Sequence, residues 1–148
     1  MTIKIEIEWL TGNDDIKSLA RATPHSAGFD LPAAIKKSVE IPPSSFSLIP
    51  LGFKLAIPNG LEGQIRPRSG LAIDSGISVL NSPGTIDSDY RGELKAILIN
   101  LGQNTFTIKR GDRIAQLVIS RLPNITFIES KILSDTTRSS SGFGSTGS

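Results

Sequence analysis

The sequence predicts an all-β domain, a small sandwich or barrel. Short runs of alternating apolar and β-branched residues recur at close spacing. Gly and Pro punctuate them at Pro42-Pro43, Pro50, Gly52, Pro58-Asn59-Gly60, Gly63, Pro67, Gly102, Gly111 and Pro123. No segment sustains a 3.6-residue apolar stripe for three turns. Many short strands joined by regular turns bury their apolar faces by packing sheet on sheet or by closing on themselves.

The elements follow in order. From Thr2 to Trp9, Ile3, Ile5, Ile7 and Trp9 alternate with Lys4, Glu6 and Glu8, the pattern of a half-buried strand and not of a secretory signal. Further strands are expected over Ala27–Leu31, Lys37–Ile41, Ser45–Ile57, Leu61–Arg66, Glu93–Asn100, Phe106–Ile108, Arg113–Ser120 and Ile125–Ser130, with at most a single helical turn over Ser69–Asp74. Glu93–Asn100 is apolar on both sides: Leu94, Ala96 and Leu98 on one, Ile97 and Ile99 on the other. A strand buried on both faces is unusual in a small sandwich and predicts that one face packs on another subunit. Residues 1–133 read as one domain. Residues 134–148 are rich in Ser, Gly and Thr, the composition of a flexible terminus. A plain linker has no use for Arg138 and Phe143, and their presence points to an induced-fit arm.

Bulk properties exclude several function classes. A chain of 148 residues can bury about 68–70% of its unfolded surface, enough for a proper core. The net charge of +2, from 16 basic and 14 acidic residues, is too small for a nucleic-acid stripe, although the isoelectric point of about 9.1 is basic. With no cysteine there is no disulfide, thiolate nucleophile or Cys-zinc site, and a reducing compartment fits. The single histidine, His25, rules out a poly-His metal site. No run approaches the roughly 18 apolar residues of a membrane helix. Neither nucleic acid nor membrane is implied as a partner. A cytoplasmic location is expected, with a nucleus or a virus-infected cell left open.

Five clusters could carry chemistry. The most informative is Gly84-Thr-Ile-Asp-Ser-Asp-Tyr-Arg-Gly-Glu-Leu-Lys95, where the turn Asn81-Ser82-Pro83-Gly84 is followed by an apolar run, so a β-hairpin is expected. In an extended chain Asp87 and Asp89 share one face, and Ser88 and Tyr90 the other. A carboxylate beside an aromatic platform suits water activation next to a bound base or sugar. Taken alone, the stretch fits better a solvated turn whose aspartates accept backbone hydrogen bonds. In the second cluster, Pro67-Arg68-Ser69-Gly70-Leu71, Arg68 offers a planar fork of donors for phosphate and Gly70 permits close approach; a Ser-capped turn with a surface Arg fits as well. In the third, Gly111-Asp112-Arg113-Ile114-Ala115-Gln116-Leu117, Gln116 lies in an apolar strand and faces either a ligand or a structural hydrogen-bond partner. In the fourth, Ala27-Gly28-Phe29-Asp30-Leu31, the Asp30 charge needs a partner, such as a metal or its water shell. The fifth is the tail, where Arg138, three serines and Gly142-Phe143-Gly144-Ser145-Thr146-Gly147 supply a cation, hydroxyl and backbone donors, and a ring to stack on a base.

Together and in this order, the five clusters resemble the five motifs of the trimeric deoxyuridine triphosphatases (dUTPases), over Ala27 to Gly147. The resemblance implies a β-barrel or jelly-roll-like homotrimer. Its active sites lie between subunits, and the C-terminal arm, here residues 134–148, closes over a site built by others. It implies hydrolysis of dUTP to dUMP and pyrophosphate with Mg²⁺, which removes dUTP from the nucleotide pool and supplies dUMP for dTMP synthesis. By resemblance, Asp87 is the general base and Tyr90 the ring beneath the deoxyribose. Asn81 and the backbone of Thr85, Ile86 and Asp87 read uracil, with Lys95 at the far end. Arg68, Ser69 and Gly70 contact phosphate, and Gln116 lies near the site. Asp30 holds the metal through water. Arg138 and Phe143, with Gly144, Ser145 and Thr146, clamp the γ-phosphate and cover the base.

Two departures stand out. Phe29 occupies a position where the family usually has Tyr, which loses a hydroxyl. Ser139 to Ser141 stand where the family usually has glycines; serine restricts φ > 0, which is expected to hinder arm closure. A dCTP deaminase, a non-catalytic dUTP-sensing protein and a purely structural β-trimer are the competing readings. A closing arm argues against the first, intact Asp87 and Tyr90 against the second, and Arg68, Asp87 and Arg138 together against the third.

Overall fold

A computed structural model describes residues 2–140. Among these, eleven strands pair antiparallel throughout: β1 (Glu6–Trp9), β2 (Phe29–Pro32), β3 (Val39–Ile41), β4 (Phe46–Pro50), β5 (Phe53–Ala56), β6 (Leu61–Arg66), β7 (Ile77–Val79), β8 (Gly84–Ile86), β9 (Lys95–Asn100), β10 (Phe106–Ile108) and β11 (Arg113–Arg121). A four-stranded sheet runs β2-β11-β6-β8 and a three-stranded one β4-β9-β7; β1-β5 and β3-β10 form two-stranded ribbons. One core fills the space between. Leu31, Ile65 and Leu117 enter it from the larger sheet, Ile49, Ala96 and Leu98 from the smaller, and Phe53 and Leu55 from the β1-β5 ribbon. The ring of Trp9 packs on Phe53 at 5.0 Å between centroids.

The all-β expectation holds, with local differences that have physical causes. Ser45–Ile57 is two strands. The chain turns at Gly52, whose φ is +78° and where a Cβ would lie 2.7 Å from that of Ala34, so only glycine fits. β7 and β8 went unforeseen because three residues are too few to show alternation. The helical turn is a seven-residue helix, α1 (Ser69–Ser75), closed by Gly76 in the left-handed region. The expected strand Ile125–Ser130 does not form; Phe127 is 96% exposed and Ile128 87%, and a β-prone segment without a partner edge has no ladder to join.

Two polar residues tie the loops to this frame. Asn100 is fully buried; its Nδ2 donates to the carbonyls of Ile41 and Asn104, each at 2.8 Å, and its Oδ1 accepts from Gly102 N–H at 2.9 Å. Arg110 secures the N-terminal segment, donating to both oxygens of Asp15 (2.8 and 2.6 Å) and to Gly12 O at 2.8 Å. The hydrogen bonds from Arg110 hold the Asp15 carboxyl below its ordinary 3.8. A carboxylate whose folded value is depressed stabilises the fold above its unfolded value, and that contribution disappears as pH falls through the folded value. Asp15→Asn is therefore expected to lower Tm at pH 7, with the gap to the parent protein closing below about pH 4; thermal melts at pH 7 and pH 3 check this.

Candidate active site

Three of the five clusters come together on the larger sheet, and a fourth, Gly84–Lys95, starts at its edge and leaves it. Register places Asp30 of β2 opposite Gln116 of β11, and Gln116 opposite Arg66 of β6, in one cross-strand row. Such neighbours project to one face. Beyond Arg66 the chain runs through Pro67 and Arg68 into α1, so the phosphate-type cluster begins beside that row. β8, with Thr85 and Ile86, pairs with the far edge of β6.

The charge on Asp30 is met by two arginines. Its Oδ1 lies 3.0 Å from Arg68 Nε and its Oδ2 accepts from Arg113 Nη1 at 3.0 Å, with the Asp30 side chain 17% exposed. Arg68 Nη1 also donates to the carbonyl of Arg113 at 2.8 Å. The partner that a half-buried carboxylate requires is thus a pair of guanidinium groups, where a metal or its water shell was the sequence expectation. Two cations share one carboxylate, so the corner keeps surplus positive charge and unused Arg68 donors. Gln116 has the structural hydrogen-bond partner and also borders open space. Its Nε2 donates to Pro67 O at 2.9 Å, and it lines a hollow of about 450 Å³ with Gln64, Arg66, Ser69, Ser82 and Pro83. Gly28 makes room for it, because a Cβ there would lie 2.0 Å from Gln116 Oε1. Ser69 and Gly70 are exposed on the first turn of α1, and Asn81 sits against Gly84, 3.4 Å from where a Cβ would be.

The expected hairpin is a crossover. β8 pairs with β6, whereas β9 pairs with β4 and β7, so the segment between β8 and β9 links two sheets. Instead of an extended run there is a tight turn, in which Tyr90 N–H donates to Asp87 O at 3.2 Å. Arg91 Nη1 closes it, donating to the carbonyls of Ser88 (2.7 Å) and Tyr90 (2.9 Å). The turn brings Asp87 and Tyr90 to one hollow of about 340 Å³, lined also by Leu48, Thr85, Ile86, Glu93, Leu94 and Lys95. Asp87 is exposed, and its carboxylate meets no donor or cation among the described residues. Tyr90 is fixed by donation from its hydroxyl to Glu93 O at 3.1 Å.

The hollows containing Asp87 and Gln116 share no lining residue. Since Ile86 pairs with Gly63, Asp87 stands level with Glu62, and Arg68 lies roughly 13–20 Å further along at about 3.3 Å per residue. One chain therefore keeps the carboxylate–ring pair apart from the arginine corner. Arg138 is exposed within the described residues; Phe143, Gly144, Ser145 and Thr146 lie outside them. Ser139 adopts φ +47°, a conformation that glycine takes without cost.

The dUTPase family profile matches residues 14–147. The chain belongs to the dUTPase family. It is 53% identical over 133 residues to the deoxyuridine 5'-triphosphate nucleotidohydrolase of Neorickettsia sennetsu, covering 90% of this chain and 89% of the relative. To that of Wolbachia pipientis subsp. Culex pipiens it is 54% identical over 147 residues, covering 98% and 96%. Among solved structures, a single-substitution variant of the dUTPase of Staphylococcus bacteriophage 80alpha with dUpNHpp is similar at a TM-score of 0.87 and 22% identity, covering 99% of this chain and all of that one. A variant of the dUTPase from phage phi11 of S. aureus, whose structure reveals the coordination of a structural Mg(II) ion, is similar at 0.77 and 20% identity, over 88% and 98%. At these identities the likeness to the phage structures establishes the fold of this dUTPase-family chain.

Among the described residues no group of three His, Cys, Asp or Glu could hold a metal. Mg²⁺ demands octahedral oxygen ligands and usually keeps several waters. Such an ion would fit here only if water or the phosphates of a bound molecule supplied most of its ligands. Arg113, Arg91 and Glu93 escaped the sequence reading. Arg113 was findable, since the Asp30 charge called for a partner and Arg113 stands in a cluster already singled out. Asp30→Asn is expected to lower stability by about 1–3 kcal/mol, as charged hydrogen bonds are lost and two guanidinium groups are left facing each other; the urea midpoint measures it.

Proposed function

We propose that this chain hydrolyses dUTP to dUMP and pyrophosphate, as a homotrimer with sites shared between subunits. The observation that carries the reading is that the Asp87 carboxylate, without a partner among the described residues, lines one hollow with Tyr90. Relatives more than 50% identical are named deoxyuridine 5'-triphosphate nucleotidohydrolases, which supports it. In this reading Tyr90 lies under the deoxyribose, and Asn81 with the backbone of Thr85, Ile86 and Asp87 reads uracil, with Lys95 at the far end. Asp87 takes a proton from water as the water oxygen bonds to phosphorus, the α–β phosphate bridge breaks and pyrophosphate leaves. Phosphoryl transfer is mostly positioning and charge stabilisation, and Arg68, Ser69, Gly70 and Gln116 supply contacts to the phosphate chain. Asp30 would hold Mg²⁺ through water, and the bound ion would supply neutralisation of phosphate charge.

The separation of the two hollows supports sharing between subunits, since one chain holds the Asp87 and Tyr90 hollow apart from the arginine corner. The outer face of β4-β9-β7 supports association. Phe46 (64% exposed) pairs with Ile99, and Leu48 (55%) with Ile97, so an apolar patch is left uncovered on the single chain. Residues 1–133 form the barrel in this proposal. Residues 134–148 are the arm, placing Arg138 at the γ-phosphate and Phe143, Gly144, Ser145 and Thr146 over the base.

Pyrophosphate release from dUTP, dCTP, dTTP and UTP with Mg²⁺ tests the activity. Release from dUTP alone is expected, and Asp87→Asn should bind nucleotide while losing about 10²–10⁴-fold in turnover; ammonia release from dCTP would point to a deaminase, and near-normal turnover in the variant would remove Asp87 from the base role. Deleting residues 138–148 should leave a trimer by sedimentation with poor activity, whereas unchanged kinetics would make the arm a simple tail.

A further inference from the structure

We infer that Gly92 is a positioning residue that sets the depth of the sugar end of the hollow through the Tyr90 ring. The inference rests on the reading of that hollow as a nucleoside site. Behind the ring lies Gly92, and an ideal Cβ there would meet Tyr90 Oη at 2.2 Å, Cζ at 2.5 Å and Cε2 at 2.9 Å. Ordinary carbon contacts begin near 3.5 Å, so the ring occupies space that any other residue at 92 would fill. The backbone itself does not call for glycine: Gly92 is absent from the positive-φ positions. The requirement is therefore for the missing side chain alone.

Three contacts make the arrangement rigid. Tyr90 Oη donates to Glu93 O at 3.1 Å. Glu93 Oε1 in turn accepts from Gly52 N–H at 3.3 Å, anchoring the segment to the β4–β5 turn. Leu94 N–H donates to Phe53 O at 2.9 Å, extending that anchorage into the core strands. Tyr90 lines the hollow and Gly92 does not. An added methyl therefore pushes the ring toward the ligand side and breaks the hydroxyl bond to Glu93. Because the obstructing atoms are the free end of a side chain 45% exposed, the ring yields and the fold stays intact.

Gly92→Ala is expected to raise the KM for dUTP about ten- to a hundredfold with kcat little changed, since a displacement near 1 Å at a positioned group costs about that much. Tm should stay close to that of the parent. In a Tyr90→Ala background the same substitution has no ring to displace, so its effect on KM should vanish. Tyr90 is the single tyrosine of the chain, so 3-fluorotyrosine labelling gives one ¹⁹F resonance that reports this ring without ligand; it should move in Gly92→Ala. An unchanged KM, an unmoved resonance, or an equal KM rise in the Tyr90→Ala background overturns the inference. Parent protein that releases no pyrophosphate from dUTP defeats the nucleoside reading instead, and the resonance then decides by itself whether Gly92 places the ring.

Discussion

Six consecutive residue pairs, from Gln116 opposite Arg66 to Arg121 opposite Leu61, join β11 to β6, and the candidate site takes its shape from that register. Side chains alternate across a strand, so a slip of one residue would send Gln116 into the core and Leu117 to solvent. The burial of Ile65 and Leu117 at 2% and 3% exposure makes such a slip costly, at about 1.5–3 kcal/mol for each fully buried aliphatic side chain. Hydrophobic packing on the inner face thereby fixes which polar groups line up on the outer one. Asp30, Gln116 and Arg66 are neighbours because Leu31, Leu117 and Ile65 must be buried.

On that outer face the electrostatics favour an anion. Asp30 orders Arg68 and Arg113 without neutralising both, and Gln116 holds the Pro67 carbonyl from which Arg68 follows. A guanidinium held in place by a carboxylate and a backbone carbonyl loses less entropy on meeting a phosphate than a free one. Asp87 is the opposite case. It is exposed, and its carboxylate is left without a partner among the described residues, which leaves its oxygens open to whatever enters the hollow. Preorganised cations in one place and an uncommitted carboxylate in another are what positioning-dominated phosphoryl transfer requires.

Much of this was legible in the sequence where chemistry and local turn signals coincide. Turn residues at Pro58-Asn59-Gly60 and Gly111 bounded β6 and β11 correctly, and the two-sided apolar character of β9 is real: Ala96 and Leu98 are buried, with Ile97 and Ile99 half-buried. What escaped depends on long-range pairing. The crossover after β8 looked like a hairpin because a turn before an apolar run says nothing about which edge the run will join. The Arg113–Asp30 contact spans 83 positions, so only the cost of an unpaired charge hinted at it. Ile125–Ser130 has strand composition and no edge to pair with, and composition alone supplies no partner. Gly92 drew no notice in the sequence, because the closeness of the Tyr90 ring to its missing Cβ exists only once the turn has formed.

The uncovered surface and the split site have one physical resolution in the proposed trimer. A chain that leaves Phe46, Leu48, Phe127 and Ile128 in water lowers its free energy by placing them against copies of itself. If the same association sets one subunit's Asp87 and Tyr90 against another's arginine corner, burial of apolar surface assembles the catalytic groups, and neither hollow needs to be complete alone. Stability and activity then share a dependence on protomer concentration, because mass action governs an obligate assembly. Ser139, held at φ +47°, lies within residues 134–148 and carries a local cost on the order of 1–2 kcal/mol for a non-glycine residue in that region, well away from the packed core.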